Sequence, residues 1–222
     1  QESEQFDPKL SDKRFRISMS DLQQAVYLPN LVKSMKHYAP NTAAECYQVR
    51  RRDLNIELAS GNLDLAFDVA LTPDPQIKQV QLKSIPQVCA VRKDHPLIKD
   101  QLSLEHYLAL EHLHISSRRG GLGIVDLALG KMGEKRKIAI RTQHYMCAPQ
   151  LIAGSNLAVT VPLNFATFLK NVVPVKFLPL PFDVQELQTH LYWHESTDKD
   201  QANQWLRKII IQQGSDSATP TE

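Results

Sequence analysis

The chain has 222 residues, 42% of them hydrophobic and 23% charged, with a formal net charge of +2. That length holds one large domain or two small ones and buries a substantial core. The small charge is far from the basic excess of a dedicated DNA-binding domain. No apolar run reaches the roughly 18–20 residues of a membrane helix, so no membrane partner is expected.

Phe15, Ile17 and Met19 alternate with Arg16 and Ser18, which predicts a short strand. Ser20, with Gln23 three residues on, is a capping-box signature. Leu22, Ala25, Val26, Val32 and Met35 continue at helical spacing, and Pro29 is expected to kink that helix or to lie in an irregular first part. Ala44, Cys46 and Gln48 predict a second strand that ends at Arg50-Arg51-Arg52. A helix from about Asp53 carries Leu54 and Leu58 and stops at Gly61, and Leu63, Leu65 and Phe67 make a third strand. This order, with short connections, predicts a parallel sheet covered by helices.

The same grammar then runs a second time. Val88 to Val91 reads as a buried strand, and Leu113 with Ile115 marks another. A helix follows over Ile124 to Lys131, then a strand at Ile138 and Ile140. The spacing predicts a helix from about Met146 to Gly154 and a buried strand at Leu157 to Val161. Leu187, Thr189, Leu191 and Trp193 alternate along a late strand, and a helix with Trp205 and Ile209 closes the pattern. The tail QQGSDSATPTE is polar and expected to be disordered. Two such units imply α/β lobes with a central cleft, and in open α/β sheets ligands sit beyond the carboxyl ends of the strands.

Few residues suggest chemistry. His112-x-His114 could offer two imidazoles to a metal, but no third ligand is identifiable, and a solvent-facing or core-satisfied pair fits better. The odd, scattered cysteines Cys46, Cys89 and Cys147 form no CxxC pair and read as reduced thiols. Gly120-Gly121-Leu122-Gly123 precedes a helix and could present backbone N–H groups to an anion, yet it lacks the Lys-Ser/Thr of a phosphate-binding loop. There is no HExxH, no Gly-x-Ser-x-Gly and no nucleophile with an evident base, so no catalytic residue, metal or cofactor is predicted. The run Arg50-Arg51-Arg52 reads either as a solvated surface or as guanidiniums that grip a carboxylate in bidentate fashion. Ser116, Ser117, Arg118 and Arg119 stand at a comparable point in the second unit, and His144 and Tyr145 open another helix at the same end.

Taken in order, FRISMSD, LPNLV, ASGNLDLAF, VRKDHPL, NLAVTVP and LYWHESTDKDQANQWLRKII resemble the regulatory domain of LysR-type transcription regulators, across roughly Phe15 to Ile211. The ending is similar to the branch that contains regulators of aromatic degradation and nodulation genes. The resemblance implies two Rossmann-like lobes of the type 2 periplasmic-binding-protein kind, with a small-molecule effector in the cleft. It implies lobe I over 13–86 plus 188–212, lobe II over 87–187, and a tail over 213–222. Ser20, Asp21, Arg50 and Arg51 match effector-binding segments of the first lobe. Ser116, Ser117, Arg118 and Gly121, with His144, Tyr145 and Met146, match those of the second. Leu122 belongs to the same effector-binding set but departs from the pattern, since relatives that sense aromatic acids can carry a histidine there; the expected effector is a small carboxylate, aromatic or not.

The resemblance further implies a cytoplasmic protein that works as a homodimer or tetramer. DNA would be read only through a winged helix-turn-helix preceding Phe15 and absent from this chain. Two rival readings remain at this point: a solute-binding protein of a transport system with the same fold, and a small enzyme built on it.

Overall fold

In the computed structural model, which describes residues 5–216, the chain forms two compact α/β units. The second runs from Ile85 to Leu187, and the first is made of the residues on either side of it.

The first unit begins with β1 (Arg14–Ser18), whose Phe15 and Ile17 are fully buried. Helix α1 (Asp21–Tyr38) opens with the expected capping box: Gln23 N–H donates to Ser20 Oγ at 3.2 Å, and Ser20 N–H donates to Gln23 Oε1 at 2.8 Å. Pro29 lies inside this continuous helix rather than in an irregular start. After β2 (Ala43–Tyr47), α2 (Arg51–Ala59) begins two residues before the predicted Asp53. Asp53 instead sits in the first turn, where the positive end of the helix dipole favours a carboxylate. Gly61 follows the helix with φ +81, a left-handed geometry that glycine adopts without a Cβ clash. Strand β3 (Leu65–Asp68) starts later than the predicted Leu63 but is buried throughout. Leu65 and Phe67 face a core shared with α1, whereas Ala66 faces Leu54 and Leu58 of α2. A strand covered on both faces reads as a continuous apolar run.

Strand β4 (Ile77–Gln81) completes the outgoing half of this unit. In the second unit, β5 (Gln87–Arg92), α3 (Leu104–Ala109), β6 (Glu111–Ile115), α4 (Ile124–Lys131), β7 (Lys137–Thr142), α5 (Ala148–Ala153), β8 (Ala158–Pro162), α6 (Leu163–Val172) and β9 (Val175–Pro179) follow in turn. The chain then returns to the first unit through β10 (His190–His194) and α7 (Gln201–Asp216). Helix α7 therefore enters the stretch expected to be disordered from 213; the rest of that stretch lies outside the described residues.

The two sheets have matching orders, β2-β1-β3-β10-β4 and β7-β6-β8-β5-β9. Neither is purely parallel as the sequence pattern predicts. β10 runs antiparallel to β3 and β4, and β5 runs antiparallel to β8 and β9. A crossover helix is what makes successive strands parallel, and β5 and β10 each enter a unit straight from the crossing segments without one. Elements α3, β4, α6 and β9 were not anticipated. Helix α6, for example, has Pro162 at its N-cap and no side-chain cap, so the usual start signal is missing. No helix among the described residues is long and apolar enough to cross a membrane.

Phe15 anchors the first unit's core, stacked on Trp205 with centroids 6.2 Å apart and fully buried. Phe15→Ala is expected to lower the unfolding free energy by about 3–5 kcal/mol in urea titrations. The exposed Leu10→Ala control should stay within about 0.5 kcal/mol.

Candidate functional site

Parallel crossovers bring the strand-to-helix loops of each unit to the carboxyl edge of its own sheet. In the first unit these loops contain Ser20 and Asp21 after β1, and Arg50 and Arg51 after β2. The buried Ser18 Oγ accepts the Val49 N–H at 3.0 Å, which ties the end of β1 to the segment leading into α2. Ser20 Oγ is committed to the cap, and Asp21 Oδ1 accepts the Leu22 N–H at 2.9 Å.

The arginine run resolves into separate roles. Arg50 Nε donates to Asp53 Oδ2 at 3.1 Å on the surface. Arg51 makes a bidentate grip, but on a carboxylate of its own chain: Nε donates to Asp68 Oδ2 at 2.9 Å and Nη2 to Asp68 Oδ1 at 2.8 Å. Burial alone would raise the Asp68 carboxyl; the Arg51 guanidinium and the Val69 and Ala70 amides outweigh it and hold Asp68 below the usual carboxylate range. The bond to Asp68 in turn raises Arg51. The geometry predicted for Arg51 is thus satisfied internally, and the partner, Asp68 at the end of β3, carried no signal in the sequence.

In the second unit, the loop after β6 starts with Ser116, whose Oγ accepts the Arg118 N–H at 3.1 Å; Ser117 beside it is exposed. Arg118 Nη2 donates to the Leu122 carbonyl at 3.4 Å, and Arg141 Nη2, from β7, donates to the Gly121 carbonyl at 3.2 Å. Arg141 was not among the predicted site residues. Its position on a strand otherwise read only for Ile138 and Ile140 hid it. Leu122 is 58% exposed and Met146 91% exposed. His144 stands at the N-cap position of a short 3-10 turn, Tyr145–Cys147, that precedes α5, where the sequence predicts a single helix. Tyr145 packs edge-on against Phe165 with centroids 4.8 Å apart. The predicted residues of this unit therefore fall on two loops, 116–122 and 144–146, following adjacent parallel strands.

Behind the first loop lies a buried ion pair that the sequence did not suggest. Arg136, its side chain 1% exposed, donates from Nε and Nη2 to both Asp126 oxygens, at 2.8 and 3.0 Å. Burial would raise the Asp126 carboxyl, but the Arg136 guanidinium more than reverses it and holds the group low. Nη2 of Arg136 also lies 3.0 Å from His114 Nδ1.

His112 is fully buried, with Nε2 2.7 Å from the Tyr107 carbonyl. The two histidines do not form a metal site: no group of three or more His, Cys, Asp or Glu among the described residues could hold an ion. Cys46, Cys89 and Cys147 are free thiols.

Burial pushes the His112 imidazole down to about 4. The unfolded chain takes up this proton near pH 6.5, so the buried ring contributes stability that is complete above that value and is lost as pH falls toward about 4. Urea midpoints should fall from about pH 7 to about pH 4.5, and His112→Phe should make that slope shallower. An identical slope in the variant would assign the effect to other groups.

Residues 9–215 match the family described as LysR substrate binding domain. The chain is 30% identical over 213 residues to the HTH-type transcriptional activator NahR of Pseudomonas putida, an alignment covering 95% of this chain and 70% of that protein. The crystal structure of the regulatory domain of MexT, a transcriptional activator in Pseudomonas aeruginosa, superposes with a TM-score of 0.79 at 26% identity, covering 90% of this chain and 98% of that one. The effector-binding domain of QuiR, solved in complex with shikimate, shares the fold with a TM-score of 0.69 at 16% identity, covering 93% and 99% of the two chains.

Proposed function

The chain belongs to the LysR substrate-binding-domain family, and we propose that the molecule it senses is a small organic acid, bound by strand-end loops and released unchanged. The chain is the effector-binding domain of a transcriptional regulator, with the fold of LysR regulatory domains. The observation that carries the acid reading is the cationic loop of the second unit. Arg118 and Arg141 both engage the glycine-rich stretch over 121–122, with Ser116 and Ser117 at its start. A guanidinium has five N–H donors in one plane, so a carbonyl bond leaves others for a carboxylate. QuiR binds shikimate, itself a carboxylic acid, on the same fold.

His144, Tyr145 and Met146 complete the proposed contacts of the second unit; at the strand-end loops of the first unit, taken by itself, Ser20, Asp21 and Arg50 are the proposed ones. Arg51 acts through Asp68, as a positioning residue that fixes the start of α2. Effector binding changes transcription only if the acid has unequal affinity for two arrangements of the regulator. DNA is read by a segment other than this one, and the regulator works in the cytoplasm.

Benzoate, hydroxybenzoates and shikimate should raise the melting temperature of the 222-residue chain, by an amount that follows about 2.7 kcal/mol at a hundredfold excess over Kd. Arg141→Ala should weaken the acids that bind by about tenfold or more. A shift produced equally by the uncharged methyl esters, or by no acid at all, refutes the reading.

We also propose a homodimer. Helix α4 exposes Ile124 and Leu127, and with Met132 and Val184 they border an apolar groove of about 460 Å³. A contiguous exposed apolar patch, as on α4, marks an association surface. Light scattering should return twice the 25.2 kDa mass of the chain, and Leu127→Lys should return the single mass. A wild-type monomer at micromolar concentration would end the proposal.

A further inference from the structure

The His112-x-His114 pair serves no metal, yet its two rings differ in a way that bears on the loop. His112 donates from Nε2 to the Tyr107 carbonyl, deep in the core. His114 lies two residues nearer the strand end, and its Nδ1 is 3.0 Å from Arg136 Nη2. A guanidinium can only donate, so His114 Nδ1 accepts and the proton of the neutral ring resides on Nε2. The Arg136–Asp126 pair is buried and bidentate, which fixes this tautomer from behind.

His114 Nε2 is covered and has no hydrogen-bond partner in the protein. Gly123, at the end of the glycine-rich loop, lies against the ring. A Cβ added at Gly123 would come within 3.0 Å of His114 Cε1 and 3.6 Å of Nε2, so any larger residue there would press on the ring. By contrast, an added Cβ at Gly120 or Gly121 meets nothing within 4 Å, so this part of the loop has room around it. An unmade bond at a buried donor is unfavourable, and the loop lying over it is the one proposed to grip the acid.

We propose that His114 is a specificity-determining residue: a neutral Nε2–H donor held under the 120–123 loop, completed by an acceptor oxygen of the bound effector once the loop shifts. The inference rests on the reading of that loop as part of the acid site. Burial, and then the Arg136 and Arg141 guanidiniums, lower the His114 imidazole and keep it neutral. The ring thus supplies a donor without a charge, next to arginines that supply the charge. It favours acids carrying a second oxygen, such as a hydroxyl, beside the carboxylate.

Nitrogen-15 spectra of the imidazoles in the 222-residue chain should show His114 as the Nε2–H tautomer, and its Nε2–H signal should move on addition of a hydroxybenzoate or shikimate. By calorimetry, His114→Phe should weaken the best of these probes by about ten- to a hundredfold. Gly123→Ala, which keeps the ring but crowds it, should weaken the same probe and serves if the first variant fails to fold. His114→Gln, which keeps a donor, should recover part of the affinity. If hydroxy acids bind the wild type and the Phe and Ala variants equally well, the His114 assignment fails and the acid site stands. If no acid binds the wild type, the acid reading itself fails and takes this role with it. An Nδ1–H tautomer would overturn the inference directly.

Discussion

The parallel pairing of β1 with β2 and β3, and of β6 with β7 and β8, is the constraint on which the molecule depends. Parallel neighbours require a helix to carry the chain back, so α1, α2, α4 and α5 all leave from the same edge of their sheets. Every loop read as functional lies at such a departure. The links at the other edge return the chain to the next strand. A site can therefore be assembled from residues far apart in the chain, because topology alone delivers their loops to one edge.

The second unit adds an electrostatic constraint to this topological one. A buried charge is tolerated only when paired and hydrogen-bonded, and removing one partner of such a pair is far more disruptive than never having built it. Arg136 meets the condition through both Asp126 oxygens and the His114 ring. The pair ties α4 to the segment entering β7 and sets the proton position on a histidine next to the loop. Packing, charge and tautomer are thus coupled in one small region. The first unit has a looser counterpart in Arg51 and Asp68, where the carboxylate is covered but the guanidinium stays half exposed.

Periodicity made most of the elements legible. Phe15 and Ile17 alternate because β1 shows one face to α1, and Leu65, Ala66 and Phe67 are all apolar because β3 is covered on both faces. Ser20 and Gln23 announced the start of α1 because a capping box is a local interaction between near neighbours. The short α3 and uncapped α6 gave no comparable local signal, nor did the edge strands β4 and β9, whose pairing partners lie far off in sequence. The direction of β5 and β10 escaped for the same reason, since direction is a property of the pair and not of the strand.

By itself, the sequence determined the repeated α/β grammar, the positions of the strand-end loops and the family to which the chain belongs. Each of these is written in spacings of a few residues or in short segments arriving in order. Only the tertiary structure decided what the charged side chains do. Arg51 turned to Asp68, seventeen residues away, Arg136 sank into the core beside Asp126 and His114, and Arg141 joined the glycine-rich loop. A guanidinium on a long flexible stem reaches whichever carboxylate or carbonyl the fold brings near, and that neighbour exists only once the sheets have formed.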